Sequence, residues 1–251
     1  MKTLILVAIM FLGSAIQGAT GFGFGLFAVA AMSLFESLTV TTPLLAVLNV
    51  PVTIYVFWKL RHSVVWSRLA VIIAATLVGI PIGVFVLVNW PQALLMRVLG
   101  VVLILAGLRS AVATRNGNAP RAEACPESRW PDVVLQLLVG LSVGALGGAF
   151  NTGGPPIIAY MYCRPWSKEE RTAGLQAVFV INLAMRIVTM SCAGLYNVAL
   201  LKTAAICLPG AVLGMFVGHA LFRRVPARGL ELFVVVFLLA IGLKLIIFPG
   251  G

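Results

Sequence analysis

The sequence predicts an all-α polytopic membrane protein built from two inverted repeats. Each repeat is a glycine-broken helical hairpin followed by three transmembrane helices. Three observations lead there: composition, an internal self-match, and the placement of cationic residues. Of the 251 residues, 61% are hydrophobic and 10% charged, whereas an average soluble domain carries about 25% charged residues. Residues 69–88 (LAVIIAATLVGIPIGVFVLV) contain no charge, and about 20 such residues span roughly 30 Å of hydrocarbon. Sliding the chain on itself by 131 positions (210 − 79) sets Gly79/Gly83 on Gly210/Gly214 and Ala46-Val47 on Ala177-Val178. Four residues further out of step, Pro91 meets Pro226 and Gly107-Leu108-Arg109 meets Gly242-Leu243-Lys244. The common order of these matches indicates an internal repeat.

The elements follow in chain order. The first repeat, 1–113, opens with an apolar stretch over 2–35 that is broken by Gly18-Ala-Thr-Gly-Phe-Gly-Phe-Gly25, and continues with spans at 40–59, 68–88 and 91–112. A polar linker, 114–130, joins the halves. The second repeat, 131–251, opens with a stretch over 131–163 broken at Gly147–Pro156, followed by spans at 171–193, 197–222 and 226–248. Ser167-Lys-Glu-Glu170 has the form of a capping box, and Pro91 and Pro226 suit the first turn of a helix. Gly79/Gly83 and Gly210/Gly214 sit in unbroken spans and read as close helix packing. The start, MKTLILVAIMFLGSAIQGA, has the build of a signal peptide. Its counterpart inside the chain argues that it is instead a retained membrane segment.

Charge sets the expected orientation. Lys59, Arg61 and Arg68 flank one connection; Arg109, Arg115, Arg121 and Arg129 flank the linker. Arg164, Lys168 and Arg171 surround a third connection, and Arg223, Arg224 and Arg228 a fourth. Cationic connections stay in the cytoplasm, so the linker is cytoplasmic and both ends of 131–163 lie on one side. That stretch is too short for two full spans and is expected to be a hairpin of two shortened helices. Three ordinary crossings plus a hairpin turn the second repeat upside down relative to the first. The same placement accounts for the net charge of +11 in an inner-membrane protein without nucleic acid as a partner. Cys163, Cys192 and Cys207 fall in or beside spans and Cys125 in the linker. With no CxxC or Cys/His spacing they read as small apolar fillers, neither a metal site nor a disulfide framework.

The breaks carry the chemistry. Unpaired backbone in a membrane is tolerated only where it is buried in protein or lines a wet cavity, so the two breaks are expected to meet at a central site. A half-helix N-terminus offers N–H donors and partial positive charge to an anion. Gln17, Thr20, Gly21, Phe22 and Gly23 border the first break; Asn151, Thr152, Gly153 and Gly154 border the second. Arg186 lies inside the run VFVINLAMRIV, more than a turn from either end of its span, and a central arginine is a functional candidate by default. Asn182 and Thr189 share its helical face, and Asn49 is the polar residue of the equivalent helix in the first half. Glu36, Asp132 and Glu231 fall at span ends and Glu123, Glu127, Glu169 and Glu170 in connections, so neither a cation site nor a carboxylate proton relay is expected. HExxH, GxSxG and paired intramembrane carboxylates are lacking, which argues against an enzyme; no cofactor or metal is expected.

In Gly18–Gly25 and Asn151-Thr-Gly-Gly-Pro-Pro156, and in its two-unit layout, the chain resembles the sulfite exporter TauE/SafE family over nearly its whole length. The resemblance implies transport, usually outward, of sulfite, sulfoacetate or related organosulfonates. The reading is therefore a secondary transporter that exports a small sulfur-containing anion across the inner membrane by alternating access. An anion channel, or a carrier or importer of a carboxylate or thiosulfate, is the alternative. The expected partners are the small anion and the lipid bilayer, with a homodimer allowed.

Overall fold

A computed structural model describes residues 2–20, 23–115, 132–164, 166–221 and 227–248. Gly21, Phe22, the side chain of Thr20, Pro226, and the linker beyond residue 115 with Cys125 lie outside the described residues. The described chain is helical throughout: α1 (Lys2–Thr20), α2 (Phe24–Met32), α3 (Leu38–Leu60), α4 (Ala70–Asn89), α5 (Gln92–Arg115), α6 (Asp132–Phe150), α7 (Gly154–Tyr162), α8 (Lys168–Cys192), α9 (Val198–Leu221) and α10 (Ala227–Ile247). Helices containing 38–63, 70–89, 132–150, 169–192 and 198–220 are long and apolar enough to cross a membrane, and 4–18, 92–108 and 234–247 are shorter apolar helices.

The order of elements recurs. A 19-residue helix followed by a nine-residue helix opens each half, as α1–α2 and as α6–α7. Three long helices follow each time. The hairpins are thus unequal, one long arm and one short, where two shortened helices were expected.

Start signals work as the residue types demand. The Ser167 hydroxyl accepts from the Glu170 N–H at 3.1 Å, and the Ser167 N–H donates to the Glu170 carboxylate at 2.8 Å. Pro91, which has no N–H to lose, accepts from Leu94 and Leu95 to start α5. Because the cap satisfies a donor that α8 otherwise leaves orphaned, Ser167→Ala is expected to cost about 1 kcal/mol. A thermal unfolding series in detergent should show a small fall in midpoint with flux unchanged.

The chain sorts into two compact units, and each draws on both halves of the sequence. The first takes its residues from 1–49, 89–119 and 195–251, and so contains α1, α2, the start of α3, α5, α9 and α10. The second takes its residues from 50–88 and 120–194, with the rest of α3, α4, α6, α7 and α8. Glycine makes the long contacts in both. In the second unit, Gly140, Gly144 and Gly148 of α6 lie against the carbonyls of Ile72, Thr76 and Ile80 on α4. Gly79 and Gly83 of α4 lie in return against those of Leu141 and Ala145. A Cβ at any of these five would fall under 3.0 Å from backbone oxygen, and the Thr76 hydroxyl donates to Gly140 O at 3.2 Å across the same seam. In the first unit, Gly214 and Gly218 of α9 abut the Phe11 and Ala15 carbonyls of α1, and Gly18 abuts Met215. Gly100 and Gly242 join α5 to α10. The close-packing reading of Gly79/Gly83 and Gly210/Gly214 therefore holds. Without a hydrophobic drive between helices in lipid, such backbone approach is what gains dispersion energy.

Cys163, in the turn after α7, is disulfide-bonded. Its exposed place outside any helix makes it available for a bond and corrects its reading as apolar filler. Cys207 is a buried thiol and Cys192 an exposed one.

Candidate functional site

The second break is built by backbone folding back along α6. Asn151 adopts φ 59°, a left-handed conformation that asparagine tolerates better than most non-glycine residues. Its N–H donates to Gly147 O at 3.0 Å, and the Thr152 N–H donates to Leu146 O at 3.2 Å. The Thr152 hydroxyl reaches the same Leu146 oxygen at 3.4 Å. Gly153 then lies so near Val143 that a Cβ would come 2.6 Å from its carbonyl oxygen. Successive residues thus pair with positions ever earlier in α6.

That retreat sets the depth at which α7 begins. Val143 is eleven residues beyond Asp132, about 16 Å along the helix and about half of a 30 Å hydrocarbon layer. Nine residues of α7 cover the remaining return, and the hairpin closes on itself: Arg164 forms an ion pair with Asp132. Around it the Tyr160 hydroxyl donates to Asp132 Oδ1 at 3.4 Å and Gln136 Nε2 to Asp132 Oδ2 at 2.9 Å. The two ends of the hairpin therefore lie together, as the charge pattern required. The short arm suffices because the break itself travels part of the way back.

The N-terminus of α7 is a donor site with a reduced donor set. Gly153 caps it without any side-chain hydrogen bond. A helix start leaves four N–H groups without intrahelical partners, but Pro155 and Pro156 have none to offer. Gly153 and Gly154 supply what remains. Gly154 has room around it, with no atom nearer than 3.8 Å to a Cβ placed there.

Helix α8 brings the charge. Arg186 is 2% exposed, and its Nη1 donates to Gly147 O at 3.0 Å and to the Asn151 side-chain oxygen. Both acceptors are neutral, and these bonds hold the guanidinium in place. Asn182, one turn earlier, donates to Val143 O at 3.4 Å and covers Gly147, where a Cβ would come 2.7 Å from its amide nitrogen. With Asn151 Oδ1 engaged by Arg186, Asn151 Nδ2 is buried and finds no partner among the described residues. A buried amide donor left unmade costs about 1–3 kcal/mol, so it is a donor awaiting an acceptor.

The expected residues thus fall into two sets. Asn151, Thr152, Gly153, Gly154, Asn182 and Arg186 are gathered in the second compact unit. Gln17, Gly23 and Asn49 belong to the first. There Gln17 is buried on α1, and Gly23 at φ 105° caps α2 while its carbonyl accepts from Phe27 N at 3.0 Å. Asn49 on α3 has a buried side-chain oxygen with no partner among the described residues.

A family model for sulfite exporter TauE/SafE matches residues 6–245. The chain belongs to the TauE/SafE family. It is also 27% identical over 227 residues to a probable sulfite/organosulfonate exporter TauE of Cupriavidus necator, an alignment covering 88% of this chain and 83% of the relative. No solved structure matches it. As a TauE/SafE protein with several apolar helices able to span a bilayer, the chain is a multi-pass inner-membrane transporter rather than an enzyme.

One residue of this TauE/SafE site escaped sequence reasoning. Gly147 accepts from both Asn151 and Arg186 and makes room for Asn182. The signal was present: Gly140, Gly144 and Gly148 form one stripe at helical spacing, and Gly147 is the glycine left over from it.

Proposed function

We propose that this TauE/SafE protein is a secondary carrier that exports a small sulfur-containing oxyanion, of the sulfite or sulfonate type. The observation that carries the reading is Arg186, inside a membrane span, bonded to the last turn of α6 and to the first residue of the backbone break. Beside it stand donors suited to oxyanion oxygens: Asn151 Nδ2 and the N–H groups of Gly153 and Gly154. Thr152 and Asn182 flank this break. The first break, with Gln17, Thr20, Gly21, Phe22 and Gly23, offers the corresponding donors in the other half of the sequence, and Asn49 is the polar side chain of its neighbouring span. The Cupriavidus necator relative, a probable sulfite/organosulfonate exporter, supports the substrate class.

Two features support inverted repeats and alternating access. The element lengths recur, and the helix pairings are reciprocal: α4 of the first half packs on α6 of the second, while α9 of the second packs on α1 of the first. Reciprocal exchange of this kind is what a two-fold relation between repeats produces. Rocking of one repeat against the other is the motion such transporters use.

Energetically, an exporter of anions can run on the membrane potential, since each negative charge leaving a negative interior gains about 2.3 kcal/mol per 100 mV. Proteoliposomes loaded with labelled sulfoacetate should therefore release it faster when an inside-negative potassium diffusion potential is imposed. The equilibrium ratio should shift about 50-fold per net charge per 100 mV. External unlabelled substrate should accelerate the efflux by counterflow. Efflux that neither saturates nor responds to external substrate would mark a channel instead, and faster movement of thiosulfate or a carboxylate would reassign the substrate.

A further inference from the structure

Helix α3 carries a row of polar groups of which the site above uses only Asn49. Thr41 and Thr53 are fully buried, and Asn49 lies between them. All three stand on one i+4 row, Thr41-Leu45-Asn49-Thr53. Each has a buried side-chain oxygen with no hydrogen-bond partner among the described residues: Thr41 Oγ1, Asn49 Oδ1 and Thr53 Oγ1. Together they run for about 18 Å along the helix. On the same helix Val40, Ile54 and Tyr55 are exposed, as suits a lipid-facing side.

Three buried polar atoms left unmade would each cost about 1–3 kcal/mol. That cost is relieved by a partner beyond the described residues, and water is the partner that small buried polar sites take. We propose that the Thr41-Leu45-Asn49-Thr53 row is the wall of a wetted track, along which a hydrated oxyanion moves while hydrogen-bonded to neutral hydroxyl and amide groups. Neutral groups suit passage: they donate to an anion without holding it as a fixed cation would, and a conducting path needs binding weak enough to release. No carboxylate occurs in α3 to repel the anion. The identity of the solute rests on the transport reading above; the wetness of the row does not.

The test uses the full chain in membranes, with Thr41→Cys, Asn49→Cys and Thr53→Cys compared with Val40→Cys and Ile54→Cys. Labelling by charged methanethiosulfonate reagents is followed peptide by peptide by mass spectrometry, so the native cysteines are read separately. Each variant is first checked for a size-exclusion profile like the parent's. The three row positions should be labelled at least tenfold faster than the two lipid-side positions. The anionic sulfonatoethyl reagent should outpace the cationic trimethylammonium one, and sulfoacetate should slow it. Row positions labelled no faster than Val40→Cys and Ile54→Cys would overturn the wetted track. Row labelling in which the cationic reagent is the faster would overturn its assignment to an anion. Since labelling reads wetness and not flux, its failure and a failure of the counterflow assay are separate results.

Discussion

Arg186→Ala is expected to lower the efflux of sulfite or sulfoacetate from proteoliposomes about 100-fold. The charged group that faces the anion is removed, and a hydrogen bond to a charged group contributes about 1.5–3 kcal/mol; the bonds to Gly147 O and Asn151 that position the guanidinium go with it. A loss of about 3 kcal/mol corresponds to roughly two orders of magnitude in binding. The anion would lose its counter-charge, and Asn151 would lose the partner that points its Nδ2 toward the break. Arg186→Lys keeps the charge but only a single compact donor group, and should recover part of the flux, to within about tenfold of the parent. That graded order separates a counter-charge from a purely structural role. If the alanine variant folds, as judged by its size-exclusion profile and melting midpoint, and still moves substrate at the parental rate, the role is excluded.

Gly218→Ala is expected to have the largest effect on stability. Its Cβ would fall onto the Ala15 carbonyl oxygen of α1, with the carbonyl carbon and Cα at 2.6 Å behind it. These are backbone atoms that no rotamer change can move. The helices must separate, and overpacking of this kind costs about 1–3 kcal/mol or more. The dispersion along the α1–α9 seam is lost with it. Melting followed by fluorescence-detected size exclusion should show a clear fall in midpoint and in recovered monodisperse protein. Gly154→Ala is the control, because its surroundings begin at 3.8 Å. It should fold like the parent, so any loss of flux there reports the site and not the scaffold.

Much of the architecture was legible because bilayer chemistry leaves few options. A stretch such as 69–88 can hardly be anything but a spanning helix, since only internal hydrogen bonding satisfies its backbone in lipid. Ser167 and Glu170 sit at capping-box spacing, and that local geometry forms without help from distant residues. Both breaks fell where glycine density and Pro155-Pro156 forbid a helix interior. Arg186 stood out because a central arginine is costly in a span.

What stayed hidden depends on contacts between distant segments. That nine residues of α7 complete the hairpin was not legible, because nothing in a linear sequence tells that residues 151–153 climb back along α6 to Val143. Gly147 read only as the first residue of the glycine-rich break, and its contacts with Asn182 and Arg186 come from the fold. The glycine stripes announced close approach but not their partners, since a bare backbone carbonyl is the same surface on every helix. The sequence by itself determined the helices, the positions of their breaks and the charge inside the bilayer, all of which follow from local hydrogen bonding and the cost of burying polar groups in lipid. Only the tertiary structure decided which helix meets which glycine face and which oxygens hold Arg186. Those choices depend on backbone shapes and chain reversals that bring residues about forty positions apart to within a hydrogen bond, roughly 3 Å.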